Sequence, residues 1–334
     1  MRKNKINFNR LMIMAVTCML AIFLVSLSSY AAPRLVLRSG DDSTEEYPYH
    51  IAFAAWAEAI DKASNGEIKL KVYSNAVLGY ERELIEGVQM GTIDFCTTSL
   101  GPFGSFAPQI NVLSLPYIFK DVDHLIRVLS SGLSYKMNAY IEKQNVGFLS
   151  LGWICGGGRC FYTKKPVNNI KDLANLKIRV MENDVYINMV NMVGAKAVPM
   201  SYGEVYSALQ TGVIDGAEND FGAYYTQKHY EGAPYYALDM HTIDITGLLV
   251  STKTWNKLSE ADKTVLLQTL PAFIEAGNES WAKLTVDAKE AVEKLGATIT
   301  QVDQEEFKKA VTPMWEATTK EYGSEFFDFV MSVK

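Results

Sequence analysis

Apolar residues along this chain follow helical and strand periods, and one pairing of the two occurs twice. In Glu83-Leu-Ile-Glu-Gly-Val-Gln-Met-Gly-Thr-Ile-Asp94, Leu84, Ile85 and Val88 make the i, i+1, i+4 stripe of a helix with one buried face. In Glu204-Val-Tyr-Ser-Ala-Leu-Gln-Thr-Gly-Val-Ile-Asp215, 121 residues on, Val205, Tyr206 and Leu209 repeat it. Gly91 and Gly212 fall where a helix exits through a left-handed residue, and Thr-Ile-Asp-Phe or Val-Ile-Asp-Gly is then expected as a short buried strand. Five of the twelve positions are identical, so the weight rests on periodicity and stop signal agreeing. A doubled helix, glycine stop and strand predicts two similar α/β lobes with a cleft between them.

The pattern around the two copies is α/β throughout. Leu35-Val-Leu-Arg-Ser reads as a strand, His50 to Ala63 as an amphipathic helix, and Ile68-Lys-Leu-Lys-Val-Tyr73 as an alternating strand after the Asn65-Gly66 turn. A Gly- and Pro-rich loop, Leu100 to Pro116, leads to a helix over Val122 to Glu142 and a strand over Val146 to Trp153. The run Gly156 to Arg159 marks the crossing into the second lobe. There the chain reads strand (Cys160-Phe-Tyr-Thr), short helix (Ile170 to Ala174), strand (Leu176-Lys-Ile-Arg-Val180) and helix (Asp184 to Val193). Ser201 and Glu204 have the spacing of a capping box. From Ser259 to Leu295 runs a helical pattern too long for one lobe, so it is expected to brace both, with Pro271 kinking or splitting it. The expected lobes are 32–155 plus about 246–270, and 156–245, with the segment 296–334 packing back on them.

The start of the chain stands apart. Arg2, Lys3, Lys5 and Arg10 precede an apolar run from Leu11 to Leu27, and Ser29-Tyr-Ala31 supplies small residues for cleavage, which predicts a secretory signal peptide over residues 1–31. Its removal moves the formal net charge from -6 to -10, since four basic and no acidic residues leave. A chain that acidic is a poor partner for nucleic acid. Cys96, Cys155 and Cys160 remain, so at least one thiol is free, and Cys155 and Cys160 are close enough in sequence to pair across Gly156-Gly-Gly158. His50, His124, His229 and His241 are scattered with no ligand spacing, so no metal or other cofactor is expected.

Nucleophile elbow, zinc-protease, phosphate-loop and dinucleotide signatures are all missing, which disfavours an enzyme. What stands out is Arg179, inside an otherwise apolar strand, with Arg159 twenty residues earlier and Asn219 after the second Ile-Asp. A buried arginine needs an anionic partner, either a protein carboxylate or a ligand carboxylate matched by the guanidinium fork.

Three runs carry a family resemblance: Gly158-Arg-Cys-Phe-Tyr-Thr-Lys-Lys-Pro166, Asp172-Leu-Ala-Asn-Leu-Lys-Ile-Arg-Val180, and Pro199-Met-Ser-Tyr-Gly-Glu onward to Asn219. With Leu78-Gly-Tyr-Glu-Arg82, Gly91-Thr-Ile-Asp94 and Leu115-Pro-Tyr-Ile-Phe119, they closely resemble the extracytoplasmic solute-binding subunits of tripartite ATP-independent periplasmic (TRAP) transporters, the DctP family, over essentially the whole chain after residue 31. The resemblance implies a two-lobe periplasmic binding fold with a ligand cleft, and a monomer that hands a small organic acid to a small and a large membrane subunit. By it, Arg179 clamps the ligand carboxylate, Arg159 donates to a second carboxylate or hydroxyl, Asn219 binds the carboxylate end, Tyr202 packs on the ligand, and Arg82 with Glu81 reaches in from the first lobe. The repeat offset makes Glu81 and Tyr202 equivalent positions at paired helix starts. Trp153-Ile-Cys-Gly-Gly-Gly before Arg159 departs from the polar residues expected for hydroxyl contacts, leaving Trp153 either to stack on a ring or to sit between the lobes. A sugar acid, hexuronate or aldonate, suits two arginines with Glu81 and Asn219. Sialic acid, a C4-dicarboxylate and an aromatic or 2-oxo acid are the alternatives, and a secreted enzyme or the ligand-binding partner of a sensor are the rival classes.

Overall fold

The computed structural model describes residues 32–334, and the signal peptide expected over residues 1–31 lies outside them. The first lobe is built from β1 (Leu35–Gly40), α1 (Pro48–Ala63), β2 (Ile68–Tyr73), α2 (Glu81–Met90) and β3 (Phe95–Ser99). A 16-residue strand, β4 (Phe148–Thr163), carries the chain across. The second lobe adds β5 (Lys177–Val180), α3 (Asp184–Met192), β6 (Lys196–Pro199), α4 (Val205–Thr211), β7 (Gly216–Asn219) and β8 (Tyr235–Ala237). A second long strand, β9 (Thr242–Ser251), returns, and α5 (Glu260–Lys294) and β10 (Thr298–Thr300) follow. Three helices, Gln304–Val311, Met314–Tyr322 and Glu325–Ser332, end the chain.

The doubled phrase is a doubled piece of topology. β1 pairs in parallel with β2 and β3, and β5 pairs in parallel with β6 and β7. Both stop glycines are left-handed, Gly91 at φ 76° and Gly212 at φ 77°. The Ile-Asp that follows is a docking turn, not yet strand, so β3 and β7 begin one residue after each aspartate. In both copies that aspartate brackets the neighbouring parallel strand. The Asp94 carboxylate accepts the Arg38 N–H at 2.7 Å and its own N–H reaches the Arg38 carbonyl, while Asp215 does the same with Lys177. A repeated backbone clamp explains why Gly and Ile-Asp persist where the helix surfaces diverge.

The lobes share one ten-stranded sheet, in the order β2-β1-β3-β9-β4-β7-β5-β6, with β8 beside β4 and β10 beside β8. β4 does not break at the glycine run, as the sequence suggested; it bulges there, with a register shift against β9 between Cys155 and Gly158. A Cβ on Gly156 would meet the Asp244 carbonyl oxygen of β9 at 2.9 Å, so the strands approach this closely only without a side chain there. The continuous strand also separates Cys155 from Cys160 by roughly 15 Å at strand rise, beyond the ~7 Å a disulfide spans. Cys96, Cys155 and Cys160 are all free and buried.

Helix α5 braces both lobes and does not split at Pro271. Pro271 lies on its exposed face, where the missing N–H costs a hydrogen bond facing water rather than core packing. Leu266 and Phe273 pack against Phe53, Trp56 and Phe95 in the first lobe; Ala288 and Val292 pack against Leu209 and Tyr236 in the second. The C-terminal helices insert Phe307, Val311, Met314, Phe326 and Val330 into a core cluster with Leu125, Ile141, Tyr186 and Val190. Two local expectations fail. The helix over Val122 to Glu142 is interrupted by a π turn at Leu129–Leu133, where Gly132 sits at φ 118°. Ser201 caps nothing, because a 3-10 turn over Tyr202–Glu204 precedes α4. The reciprocal backbone contact appears in the first copy instead, where the Tyr80 N–H donates to Glu83 at 3.0 Å.

The clamp predicts a backbone effect free of packing. A Cβ at Gly212 would meet nothing nearer than Lys164 Nζ at 3.8 Å, so Gly212→Ala isolates the left-handed φ and should destabilise by about 1 kcal/mol in urea unfolding. A stabilised variant, the usual result of Gly→Ala at ordinary φ, would refute the clamp.

Candidate functional site

The two conspicuous arginines have different environments. Arg159 on β4 is 3% exposed and is taken up by a protein carboxylate: its Nε and Nη2 donate to Glu218 at 2.7 and 2.9 Å. Glu218 also contacts His241 Nε2 at 3.3 Å, and His241 Nδ1 lies 2.7 Å from Asp239. Burial pushes Glu218 up, but Arg159 and His241 outweigh it and bring its pKa down to about 2. Burial likewise opposes the charge on His241, yet Asp239 and Glu218 hold it protonated up to about 9.

Arg179 on β5, also 3% exposed, has no carboxylate in contact among the described residues. Its Nε and Nη2 donate to the Met200 carbonyl at 3.1 and 2.9 Å, Nη1 makes no hydrogen bond among the described residues, and the ring of Tyr202 lies 5.9 Å away. Burial lowers its pKa, the mark of a cation short of compensating charge.

Both arginines open into an inner chamber at the lobe junction. Its walls follow from the topology, because parallel strands end there from both sides. Asp42 and Ser43 follow β1, Ser99 ends β3, Met181 follows β5 and Asn219 ends β7. The paired helix starts face one another across it, Glu81 opening α2 and Tyr202 opening the turn into α4. Tyr47, Tyr49 and Asp244 complete the lining, and the Tyr47 hydroxyl ties the lobes by donating to Asp220 at 3.0 Å. An outer chamber shares Asp42, Glu81, Arg179, Met181 and Tyr202 and adds Arg82.

Three carboxylates line the inner chamber. Glu81 accepts the Ser99 hydroxyl at 2.9 Å and the Ser99 N–H, Asp42 accepts the Ser43 hydroxyl at 3.2 Å, and Asp244 accepts the Ile245 N–H at 2.9 Å. Burial pushes each up to about 7; Asp41 and Asp42 add to the rise at Asp42 and Glu81 respectively, and Glu81 adds to it at Asp244. Asn219 accepts the Asp220 N–H through Oδ1 at 2.9 Å, and its Nδ2 makes no hydrogen bond among the described residues.

Arg179, Arg159, Asn219, Glu81 and Tyr202 therefore converge as the sequence suggested, with Arg159 held chiefly by Glu218. Arg82 stands outside them at the mouth, about half exposed and paired with Glu86 at 3.3 Å. Trp153 does not line the inner chamber; its indole N–H donates to Asn138 at 2.7 Å and its ring packs on Phe103. Asp42, Ser43, Tyr47, Tyr49, Ser99, Met181 and Asp244 were not foreseen. Asp244 carried a usable signal, a lone carboxylate in the apolar run Ile243 to Ile245, the same anomaly that singles out Arg179.

The model of the DctP family, bacterial extracellular solute-binding protein, family 7, matches residues 40–321. A solute-binding protein of Chromohalobacter salexigens is 35% identical over 278 residues, covering 83% of this chain and 82% of that one. The crystal structure of a TRAP periplasmic solute binding protein from C. salexigens with bound D-glucuronate superposes with a TM-score of 0.84 at 33% identity, covering 89% of this chain and 98% of that chain. One from Sulfitobacter sp. NAS-14.1 with bound β-D-galacturonate gives 0.84 at 31% identity, covering 88% and 98%. The chain belongs to the bacterial extracellular solute-binding protein family 7, DctP, a family of ligand-binding subunits that work with TRAP membrane subunits and are not enzymes.

Proposed function

We propose that this protein binds a sugar acid, a hexuronate or aldonate, in the periplasm and delivers it to TRAP membrane subunits. The observation that carries this reading is Arg179, a buried guanidinium that lines the chamber with no carboxylate in contact and no hydrogen bond to Nη1 among the described residues. A ligand carboxylate completes it, and Asn219 Nδ2 supplies a neutral donor nearby. The hydroxyls of a sugar acid then meet Asp42, Glu81 and Asp244, which accept them as water would. The glucuronate and galacturonate complexes of the two related proteins support the same ligand class.

In this reading the ligand binds between lobes that hinge at the bulge Cys155 to Gly158, opposite Ile243 to Ile245, where the glycines leave β4 free of side chains. Closure removes water from the clamp, and a micromolar affinity needs about 8 kcal/mol. One chain supplies both walls, so the protein acts as a monomer, exported by a signal peptide over residues 1–31.

The two arginines should respond oppositely to removal. Arg179→Met should abolish the thermal shift given by D-glucuronate or D-galacturonate, while the ligand-free protein melts no lower than wild type, since an uncompensated buried charge is gone. Arg159→Met strands Glu218 and should cost about 3–5 kcal/mol of stability. Arg179→Lys keeps charge without the fork and should weaken the acid by about a hundredfold in calorimetry. Undiminished binding in Arg179→Lys would overturn the clamp.

The chamber also sets a pH dependence. Asp41, Asp42, Glu81 and Asp244, all pushed up to about 7 chiefly by burial, hold protons in the folded protein that the unfolded chain has released above about pH 4. Stability from these groups therefore falls as pH rises through 7. His229, which burial keeps neutral down to about 3, opposes them with one proton. His241 adds stability that is complete below about pH 6.5 and lost towards its folded pKa of about 9. The melting temperature of the ligand-free protein should fall from about pH 5 to about pH 8.5, less steeply in an Asp42→Asn, Asp244→Asn double variant. A rise across that window would contradict the site electrostatics.

A further inference from the structure

The charges of the chamber are arranged so that a second anionic group on the ligand meets no second open cation. Arg179 offers one open anchor, through Nη1. Arg159 is not a second open anchor, since two of its nitrogens are spent on Glu218 and the third, Nη1, lies 3.7 Å from Asp244. The remaining charged wall is made of Asp42 and Asp244, both buried, and the half-buried Glu81, fixed in place by Ser43, the Ile245 amide and Ser99 respectively. An ionised carboxylate only accepts hydrogen bonds, so hydroxyl donors satisfy this wall and a further carboxylate opposes it. Rejection by like charge in a water-poor site is a recognised route to specificity.

We propose that Asp42, Glu81 and Asp244 make the site selective for acids with a single carboxylate and a hydroxylated far end, and exclude diacids of the same length. The inference rests on the sugar-acid reading of the pocket and narrows it: an aldarate or a C4-dicarboxylate is turned away by charge even where its shape fits. It assigns the three carboxylates a discriminating role beyond hydroxyl binding.

The test is titration calorimetry at about pH 8, where the three groups are mostly ionised, with D-gluconate and D-glucarate, open-chain acids that differ at the far end by a hydroxymethyl against a carboxylate. D-glucuronate serves as the cyclic reference. Wild type should bind D-glucarate at least about a hundredfold more weakly than the better of the two monoacids. Asp42→Asn, Glu81→Gln and Asp244→Asn, made separately so that one unfolded variant does not end the test, should each narrow that ratio about tenfold through tighter D-glucarate binding. D-glucarate binding to wild type as tightly as a monoacid would overturn the inference. So would a ratio unchanged in every folded variant, which would make the exclusion one of shape. Wild type that binds neither monoacid would instead bring down the sugar-acid reading, and this inference with it.

Discussion

Burying a guanidinium without a carboxylate is the constraint around which this molecule is arranged. Arg179 keeps two hydrogen bonds to the Met200 carbonyl and leaves its third nitrogen to the chamber. Removing a cation from water without a counter-charge costs several kcal/mol, and the fold sustains that cost at the junction of its lobes. A protein that needed only stability would place an aspartate there. In the proposed reading that unmet charge is what a ligand carboxylate would answer.

The other buried charges show what a compensated arrangement looks like in the same fold. Arg159, Glu218, His241 and Asp239 form a continuous chain from β4 through β7 to the start of β9. It lies where the two strands shared by both lobes run together, so it fixes the wall against which Arg179 acts. A carboxylate compensates Arg159 in this chain; among the described residues none is in contact with Arg179. Two arginines twenty residues apart thus divide the labour, one holding the chamber together and one facing its contents.

Much of this was legible in the sequence, and the parts that were not fail for identifiable reasons. The doubled phrase foretold two lobes because its glycine and aspartate do backbone work, left-handed exit and strand clamp, that any copy of the unit must repeat. It also placed Glu81 opposite Tyr202. Arg179 was visible because a charge in an apolar strand breaks a period. Asp244 breaks the same period and went unread, since a single aspartate is weaker as an anomaly than an arginine flanked by a matching partner. Asp42 and Ser43 follow a strand as ordinary loop residues, and only the parallel pairing of β1 with β3 brings them to the cleft. Trp153, left open between stacking on a ring and sitting between the lobes, packs on Phe103 and away from the inner chamber, a choice that periodicity does not register. The glycine run looked like a chain break for a related reason: the sequence registers missing side chains, while the crossing strand that requires their absence lies about ninety residues away.

The central claim concerns where a ligand carboxylate rests, and a crystal structure of the protein with D-glucuronate reads that directly. The account predicts the acid in the inner chamber, its carboxylate within hydrogen-bonding distance of Arg179 Nη1 and its hydroxyls on Asp42, Glu81 and Asp244. A carboxylate seated on Arg82 at the mouth, with Arg179 still uncompensated, would contradict it.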